Sequence, residues 1–294
     1  MSAAAVSPQS AGPATAAAEL NHIYVTLRQD TIDAIARSFF VTERFAMFEQ
    51  NTVRTADSVW KGAYLIGWRG YLELFAPGGA EGLVAGSSGV GFSTVLVGGG
   101  SAVRSKLGAI DGETLSAEIM HRVDGDVNVP WFENIRLCSL DRPFFSAWLM
   151  DFRPEYMARR GIPLGEGGRF DRHGYNAASY RRAGRMAEYE ARVLDDLVEI
   201  HLELDAEEGA SFGRFLGALG FVAAGEAGAR VFRAADSVIF LRIVPAPVYR
   251  IRRVVCSLLG PVDPPVECVF GPDAKFSAQG RTAVWTFGED GPDR

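Results

Sequence analysis

Cysteine, basic charge and long apolar runs are all scarce in this sequence, and each shortage excludes a class of protein. The chain has three cysteines in 294 residues, Cys138, Cys256 and Cys268, and no Cys-x-x-Cys pair. An odd count without that spacing predicts reduced thiols in a cytoplasmic protein, with neither a disulfide framework nor a zinc site. The net charge of −6 argues against binding to nucleic acid or to an anionic membrane.

No run of eighteen apolar residues is present, so the sequence predicts a soluble protein without a transmembrane helix. Residues 1–18 lack the basic and apolar regions of a signal peptide and predict a disordered tail. The glycines at 86–100 lack the Gly-Lys-Ser/Thr ending of a phosphate loop, and no Gly-x-Ser-x-Gly element occurs. What remains is an ordinary apolar content of 48%, enough to bury a core.

The order of predicted elements repeats along the chain. The first unit is a strand at 21–27, a helix to about residue 45, and strands at 48–54 and 60–75, the last broken by a turn at 67–70. The second has a strand at 91–97, a helix at 102–110 and strands at 115–123, 131–138 and 145–152. A third, shorter copy follows at 198–244, and residues 250–287 add strands without a clear helix. The repeated β-α-β-β-β order predicts an α+β fold that arose by internal duplication.

Two strands of the first unit each carry one side chain that could bind a metal or transfer a proton, on the same face as aromatic residues. Because side chains alternate along a strand, His22, Tyr24 and Thr26 share one face of their strand. Tyr71, Glu73 and Phe75 share a face in the same way. A histidine and a carboxylate beside aromatic rings are typical of a pocket wall.

These units, with a histidine in a first strand and a glutamate in a later one, resemble the vicinal-oxygen-chelate superfamily, which includes glyoxalase I, bleomycin-resistance proteins and extradiol dioxygenases. The segments LNHIYVTL and YLELFAPGG are similar to the opening and closing strands of a glyoxalase-like module. The resemblance implies a bacterial glyoxalase-like subgroup with two glyoxalase-like domains. We expect these domains at 19–153 and 196–288, with a helical connector at 154–195 and tails at 1–18 and 289–294.

In that superfamily two modules form a cupped sheet around one divalent metal, with ligands on a first and a late strand of each module. The resemblance implies His22 and Glu73 as ligands from the first module and Asp151 from the second. The remaining slot falls near Val90, which has no donor atom. Such a set suits Fe, Mn, Ni, Zn or Mg. The alternative for His22 is a hydrogen bond to backbone or tyrosine, and for Asp151 a turn cap or an ion pair with Arg153.

The expected function is therefore a metal-dependent enzyme for a small oxygenated molecule, of isomerase, lyase or dioxygenase type, with His22 and Glu73 as catalytic residues. The expected pocket residues are Tyr24, Thr26, Tyr71, Phe75, Trp131 and Trp148. The alternative is a metal-free protein that binds or sequesters a small molecule, as drug-resistance relatives do. Either function leaves open a homodimer.

The third copy carries charge where ligands would lie. His201 shares its strand face with Glu199 and Glu203, and Arg242 occupies the late-strand slot. An arginine repels a cation, so we expect a domain that kept the fold and lost the site, with Arg242 contacting Glu199 or Glu203. In the connector, residues 154–160 and 177–194 predict two helices. Arg181, Arg182 and Arg185 predict that the second is solvated, with ion pairs to Glu188 and Glu190, or alternatively that it forms a pocket lid or contacts an acidic ligand.

Overall fold

Two β-sheets dominate the computed structural model, which describes residues 16–55, 58–124, 126–226, 229–234 and 236–288. The first unit of the chain consists of β1 (Ala18–Thr26), α1 (Gln29–Ala36), β2 (Met47–Arg54), β3 (Val59–Ile66) and β4 (Tyr71–Phe75). A π-helical turn at Val41–Phe45 precedes β2. Strand β1 begins inside the segment predicted as a tail, of which residues 1–15 lie outside the described residues, as do 289–294.

The second unit repeats the same order of elements. It consists of β5 (Ser88–Thr94), α2 (Gly100–Gly108), β6 (Leu115–Asp124), β7 (Val127–Leu137) and β8 (Phe145–Phe152). The two units form one eight-stranded sheet in the order β2-β3-β4-β1-β5-β8-β7-β6. Strand β1 runs parallel to β4 and antiparallel to β5, so the first strands of the two units meet at the centre of the sheet.

The connector contains three helices, α3 (Pro154–Arg160), α4 (Arg172–Arg182) and α5 (Met186–Glu190). The sequence pattern predicted one helix from Ala177 to Leu194. The structure instead divides it near Gly184, whose φ of +68° is a left-handed conformation that favours glycine. Arg185 pairs with Glu188 at 2.8 Å, as predicted for the solvated end of the connector.

The C-terminal part contains β9 (Leu194–Leu204), α6 (Ala206–Leu219), β10 (Val222–Glu226), β11 (Ala229–Arg233), β12 (Val238–Ile243), β13 (Ile251–Phe270) and β14 (Ala274–Phe287). It forms a six-stranded sheet in the order β10-β11-β12-β9-β13-β14. One complete β-α-β-β-β unit is present, and the last copy is reduced to the β13–β14 hairpin. The α+β fold class of repeated β-α-β-β-β units is thus confirmed.

One apolar core joins the two sheets. The helix α6 presents Phe212 to Phe145 of β8 and Phe215 to Phe92 of β5, with ring centroids 5.2 and 5.9 Å apart. Phe45 packs in the same way against Phe276 of β14. The C-terminal part therefore covers the outer face of the first sheet, and the inner face is left for a site. No helix in the described part of the chain is long and apolar enough to cross a membrane.

Candidate functional site

The inner face of the eight-stranded sheet encloses two adjoining cavities. The connector cavity, of about 320 Å³, is bounded on one side by Tyr156 of α3 and Tyr175 of α4. The strand cavity, of about 260 Å³, is bounded by residues of β1, β4 and β8. Both cavities are lined by Trp60, Tyr71, Glu73 and Trp131. Because they share these walls, we treat them as two chambers of one cup.

The two edges of the sheet meet at one side of the cup. Strands β2 and β6 are the edge strands, and a single antiparallel bridge joins Thr55, just after β2, to Arg122 of β6. A register shift after Met120 leaves Trp131 as the extra residue of β7 opposite β6. Such a bulge redirects a side chain, and here the Trp131 ring lines both chambers.

Glu73 lies where the two chambers meet. It is half-buried on β4, next to Tyr24 in the β1–β4 register. None of the described residues gives its carboxyl a hydrogen bond or an ion pair. Burial raises the pKa of Glu73 to about 8, so the carboxyl is mostly protonated at neutral pH. A protonated carboxyl can donate one hydrogen bond and accept another.

His22 is buried in the wall of the strand cavity, where Asn21 and Tyr71 hold its ring. A bulge between Leu20 and His22 places Asn21 beside the imidazole, and the Asn21 Oδ1 accepts a hydrogen bond from His22 Nδ1 at 2.9 Å. The ring stacks on Tyr71, with centroids 4.3 Å apart and planes 7° apart. Burial lowers the pKa of His22 to about 3, so the imidazole is neutral, with Nε2 as its acceptor.

Glycines stand opposite His22 and Tyr24 in the second unit. Val90, the expected empty slot, pairs with Ile23 and is buried on the core side of the sheet. The residues that pair with His22 and Tyr24 are Gly91 and Gly89, and a Cβ on either would collide with those rings. At the positions opposite His22 and Tyr24, the first strand of the second unit therefore offers no ligand side chain, because its glycines leave room for the rings of the first unit.

Asp151 does not join His22 and Glu73. Its carboxylate accepts hydrogen bonds from Thr94 Oγ1 at 3.0 Å, from the Gly98 N–H at 2.8 Å and from the Gly100 N–H at 3.0 Å. Gly100 is the first residue of α2, which lies on the side of the sheet opposite the cup. Asp151 is therefore removed from the expected set of metal ligands. Its role of anchoring the start of α2 is similar to the turn cap that was the alternative prediction.

Most of the other expected pocket residues do line the cup. They are Tyr24, Tyr71, Phe75, Trp131 and Trp148. Thr26 is the exception: it is fully buried at the end of β1, beside Phe75, and lines neither chamber. The sequence analysis missed Trp60, Tyr64, Arg122, Tyr156 and Tyr175. Strand alternation could have found Trp60 and Tyr64, which share a face of β3, whereas the connector tyrosines depend on tertiary packing.

The donor set does not fit a resident divalent metal. His22 and Glu73 are the only two of the expected ligands that share a chamber. Protein metal centres generally use three or more side-chain donors, and the described residues contain no group of three His, Cys, Asp or Glu side chains placed to hold an ion. The chamber instead combines a protonated carboxyl, a neutral imidazole and aromatic walls, which suits hydrogen bonding to an organic molecule.

Comparison with known families places this chain in a family whose function is unknown. Residues 20–287 match the family described as "Family of unknown function (DUF5829)". The chain belongs to this family. No curated protein matches it. The DUF5829 match extends over both sheets and the connector, so the cup and the C-terminal part are features of a single family unit.

Solved structures similar to this DUF5829 chain agree in fold. A hypothetical protein from Staphylococcus aureus is 9% identical, with a TM-score of 0.51, over 86% of this chain and 95% of that one. The 2,3-dioxygenase LapB from Pseudomonas sp. KL28 is 14% identical over 95% and 96%, with a TM-score of 0.44. A xylose isomerase-like TIM barrel/4-hydroxyphenylpyruvate dioxygenase fusion protein is 13% identical over 80% and 34%, with a TM-score of 0.41. At these identities the first likeness concerns the fold alone, and the two scores below 0.5 support no conclusion about this chain.

Proposed function

We propose that the cup binds a small organic molecule without a resident metal and that the protonated carboxyl of Glu73 is its central hydrogen-bond donor. The observation that carries this proposal is the position of Glu73, at the junction of two cavities and without a partner among the described residues. Glu73 is half-buried and its carboxyl has no partner among the described residues, so a ligand that excludes water and supplies the partner gains affinity.

The walls of the cup favour a flat, largely apolar ligand. Tyr71 stacks on His22, and Trp148 lies edge-on to the same imidazole with centroids 5.2 Å apart. Together the chambers have the size and the mixture of apolar walls with few polar groups that small-molecule pockets show. The neutral His22 imidazole accepts a hydrogen bond while Glu73 donates one, so the ligand is expected to carry both a donor and an acceptor.

A ligand screen by thermal shift tests this proposal. Compounds that raise the Tm of the parent should raise it less in Glu73→Ala, because the methyl side chain has neither the donor nor the acceptor of the protonated acid. Glu203→Ala is the matched control, since Glu203 lies on the second sheet and already pairs with Arg242. Shifts that are equal in all three proteins would remove Glu73 from the binding site.

Acid–base catalysis by Glu73 is a second candidate, favoured by its pKa of about 8. A carboxyl that titrates near neutrality can give a proton to a bound substrate and recover it within one cycle. The expected signature is turnover of a compound found in the screen, with a rate that changes with pH near that value. A turnover rate retained in Glu73→Gln would assign the site to binding alone.

Metal analysis separates this proposal from the metal-dependent enzyme of isomerase, lyase or dioxygenase type. The parent, His22→Ala and Glu73→Ala are purified without chelators, incubated with Fe, Mn, Ni, Zn or Mg, and analysed by elemental mass spectrometry. We expect substoichiometric metal in all three. Stoichiometric metal in the parent that both substitutions abolish would overturn the metal-free proposal.

A further inference from the structure

Arg122 brings a positive charge into the connector cavity. It lies on β6 at the bridge that closes the cup, and it is half-buried. Its guanidinium carbon lies 4.8 Å from the centre of the Trp131 ring. Tyr156 lines the same cavity and interacts electrostatically with the guanidinium. Trp131 and Tyr156 are neutral, so neither cancels the charge of Arg122.

The other arginines of the cup differ from Arg122 in having carboxylate partners. Arg160, also in the connector cavity, lies 3.5 Å from Asp124. Arg136, in the strand cavity, lies 3.1 Å from Glu118. None of the described carboxylates forms an ion pair with Arg122. Glu73 lines the same cavity, but it does not pair with Arg122 either, and burial accounts for the raised pKa of Glu73.

We propose that the ligand is a flat aromatic acid whose anionic group binds Arg122 while its ring lies between Trp60 and Trp131 and its far end reaches Glu73. This inference rests on the proposed binding function of the cup and names its ligand class. The guanidinium presents several N–H donors in a planar fork, which matches the two oxygens of a carboxylate.

The arrangement of charges in the two chambers favours this class over a cation or a neutral molecule. Glu49 is the remaining acid of the connector cavity, and it faces Arg185 at 3.9 Å. Asp141, the other acid of the strand cavity, pairs with Arg136 at 3.4 Å. With Glu73 protonated, Arg122 is the charged group of the two chambers that has no oppositely charged partner among the described residues. The aromatic rings of Trp60 and Trp131, which line both chambers, supply stacking surface along the path from Arg122 to Glu73.

Two matched probes test the inference, 2-naphthoate and its neutral amide 2-naphthamide. They share one ring system and differ in charge, so the ratio of their Kd values, measured by isothermal titration calorimetry, reports recognition of the anion. We expect the parent to prefer the naphthoate by about ten- to a hundredfold, as a charged hydrogen bond of this kind provides. Arg122→Gln should abolish that preference, and Arg122→Lys should retain part of it.

Arg160→Gln and Arg136→Gln are the controls, because each removes a cup arginine that already has a carboxylate partner. Both should keep the preference of the parent. Equal affinities for the two probes, or a preference that survives in Arg122→Gln, would overturn the assignment and leave the cup as a binding site. If neither probe binds while the screen yields Glu73-dependent ligands, the anion assignment alone fails. An empty screen together with no probe binding overturns both.

Discussion

The two sheets are built from the same kind of unit, yet their open faces differ in how charge is balanced. On the first sheet, Glu73 and Arg122 face the cup without an oppositely charged partner among the described residues. On the second, the corresponding face carries His201, whose Nε2 lies 2.6 Å from Glu199, and Arg253, which pairs with that same carboxylate at 2.7 Å. Arg242 pairs with Glu203, as the sequence analysis predicted.

The difference shows that charge pairing, together with topology, distinguishes the proposed binding face of the first sheet from the open face of the second. Side chains on the second sheet are half-exposed and neutralise one another, so a ligand would have to displace existing partners. The second sheet also lacks the enclosing wall, because its last copy is reduced to β13 and β14, and six strands do not close into a cup. Its apolar side covers the outer face of the first sheet.

The first prediction concerns a buried ion pair that connects the two sheets. Arg172 of α4 binds both carboxylate oxygens of Asp196 on β9, at 3.1 and 2.8 Å, and donates to the Leu20 carbonyl of β1 at 2.6 Å. Both charged side chains are buried. Arg172→Leu leaves Asp196 buried without its main partner and should cost about 3–5 kcal/mol of unfolding free energy in urea denaturation.

Arg69→Leu is the control for that experiment. Arg69 pairs with Asp195 at 2.8 Å and also lies 3.6 Å from Asp196, but its side chain is half-exposed, so the expected loss is below about 1 kcal/mol. If the two substitutions cost the same, burial of the Arg172 pair does not determine how strongly the sheets are joined.

The second prediction compares how the two sheets hold their helices. Asp151→Ala removes the acceptor of three donors at the start of α2, and we expect a loss of about 2–4 kcal/mol in urea denaturation. Helix α6 of the second sheet is instead capped by its own Asp205, whose carboxylate accepts from Glu207 N and Glu208 N. Asp205→Ala should cost about 1 kcal/mol. An Asp151→Ala protein of unchanged stability would contradict the anchoring role.

The third prediction uses pH to test the uncompensated acid of the cup. The pKa of Glu73 is raised to about 8 in the folded protein from 4.5, so between those values the folded state keeps a proton that the unfolded state has lost. Stability from this group is therefore complete below about pH 4.5 and falls as the pH rises toward 8. Relative to Glu73→Gln, the parent should lose about 2 kcal/mol from about pH 6 to about pH 7.5.

Urea denaturation at a series of pH values measures this difference. Glu203→Gln is again the matched control, because it changes a paired carboxylate on the second sheet. A difference between parent and Glu73→Gln that stays constant across this range would mean that Glu73 is ionised in the folded protein and has a partner there.

Strand alternation predicted much of the site and also shows where the sequence analysis failed. The period of two placed His22, Tyr24, Tyr71 and Glu73 on one face, and the parallel β1–β4 register brings them together. The same rule places Asp151 on the face opposite Trp148, away from the cup. The resemblance to the superfamily nevertheless implied that Asp151 was a metal ligand, and that prediction was wrong. Alternation is a local property of the chain, so it is more reliable here than a slot inferred at a distance.

Other features could not be predicted because they depend on residues far apart in sequence. The closing contact between Thr55 and Arg122 joins edge strands of two different units, and nothing local marks either residue. The connector helices were expected, but not that Tyr156 and Tyr175 would complete the cup. Strand β13 also continues past Pro261, Pro264 and Pro265, where its pairing with β14 is interrupted by two register shifts.

The last prediction tests whether a charged pair on the second sheet affects ligand binding in the cup. Arg242→Ala removes the partner of Glu203 from a pair in which the arginine is more than half exposed. Exposed pairs contribute little, so the expected cost is below about 1 kcal/mol, and the ligand-induced Tm shifts of the cup should not change. If Arg242→Ala instead weakened those shifts as much as Glu73→Ala does, the charged face of the second sheet would take part in binding, and charge pairing would no longer separate the two faces.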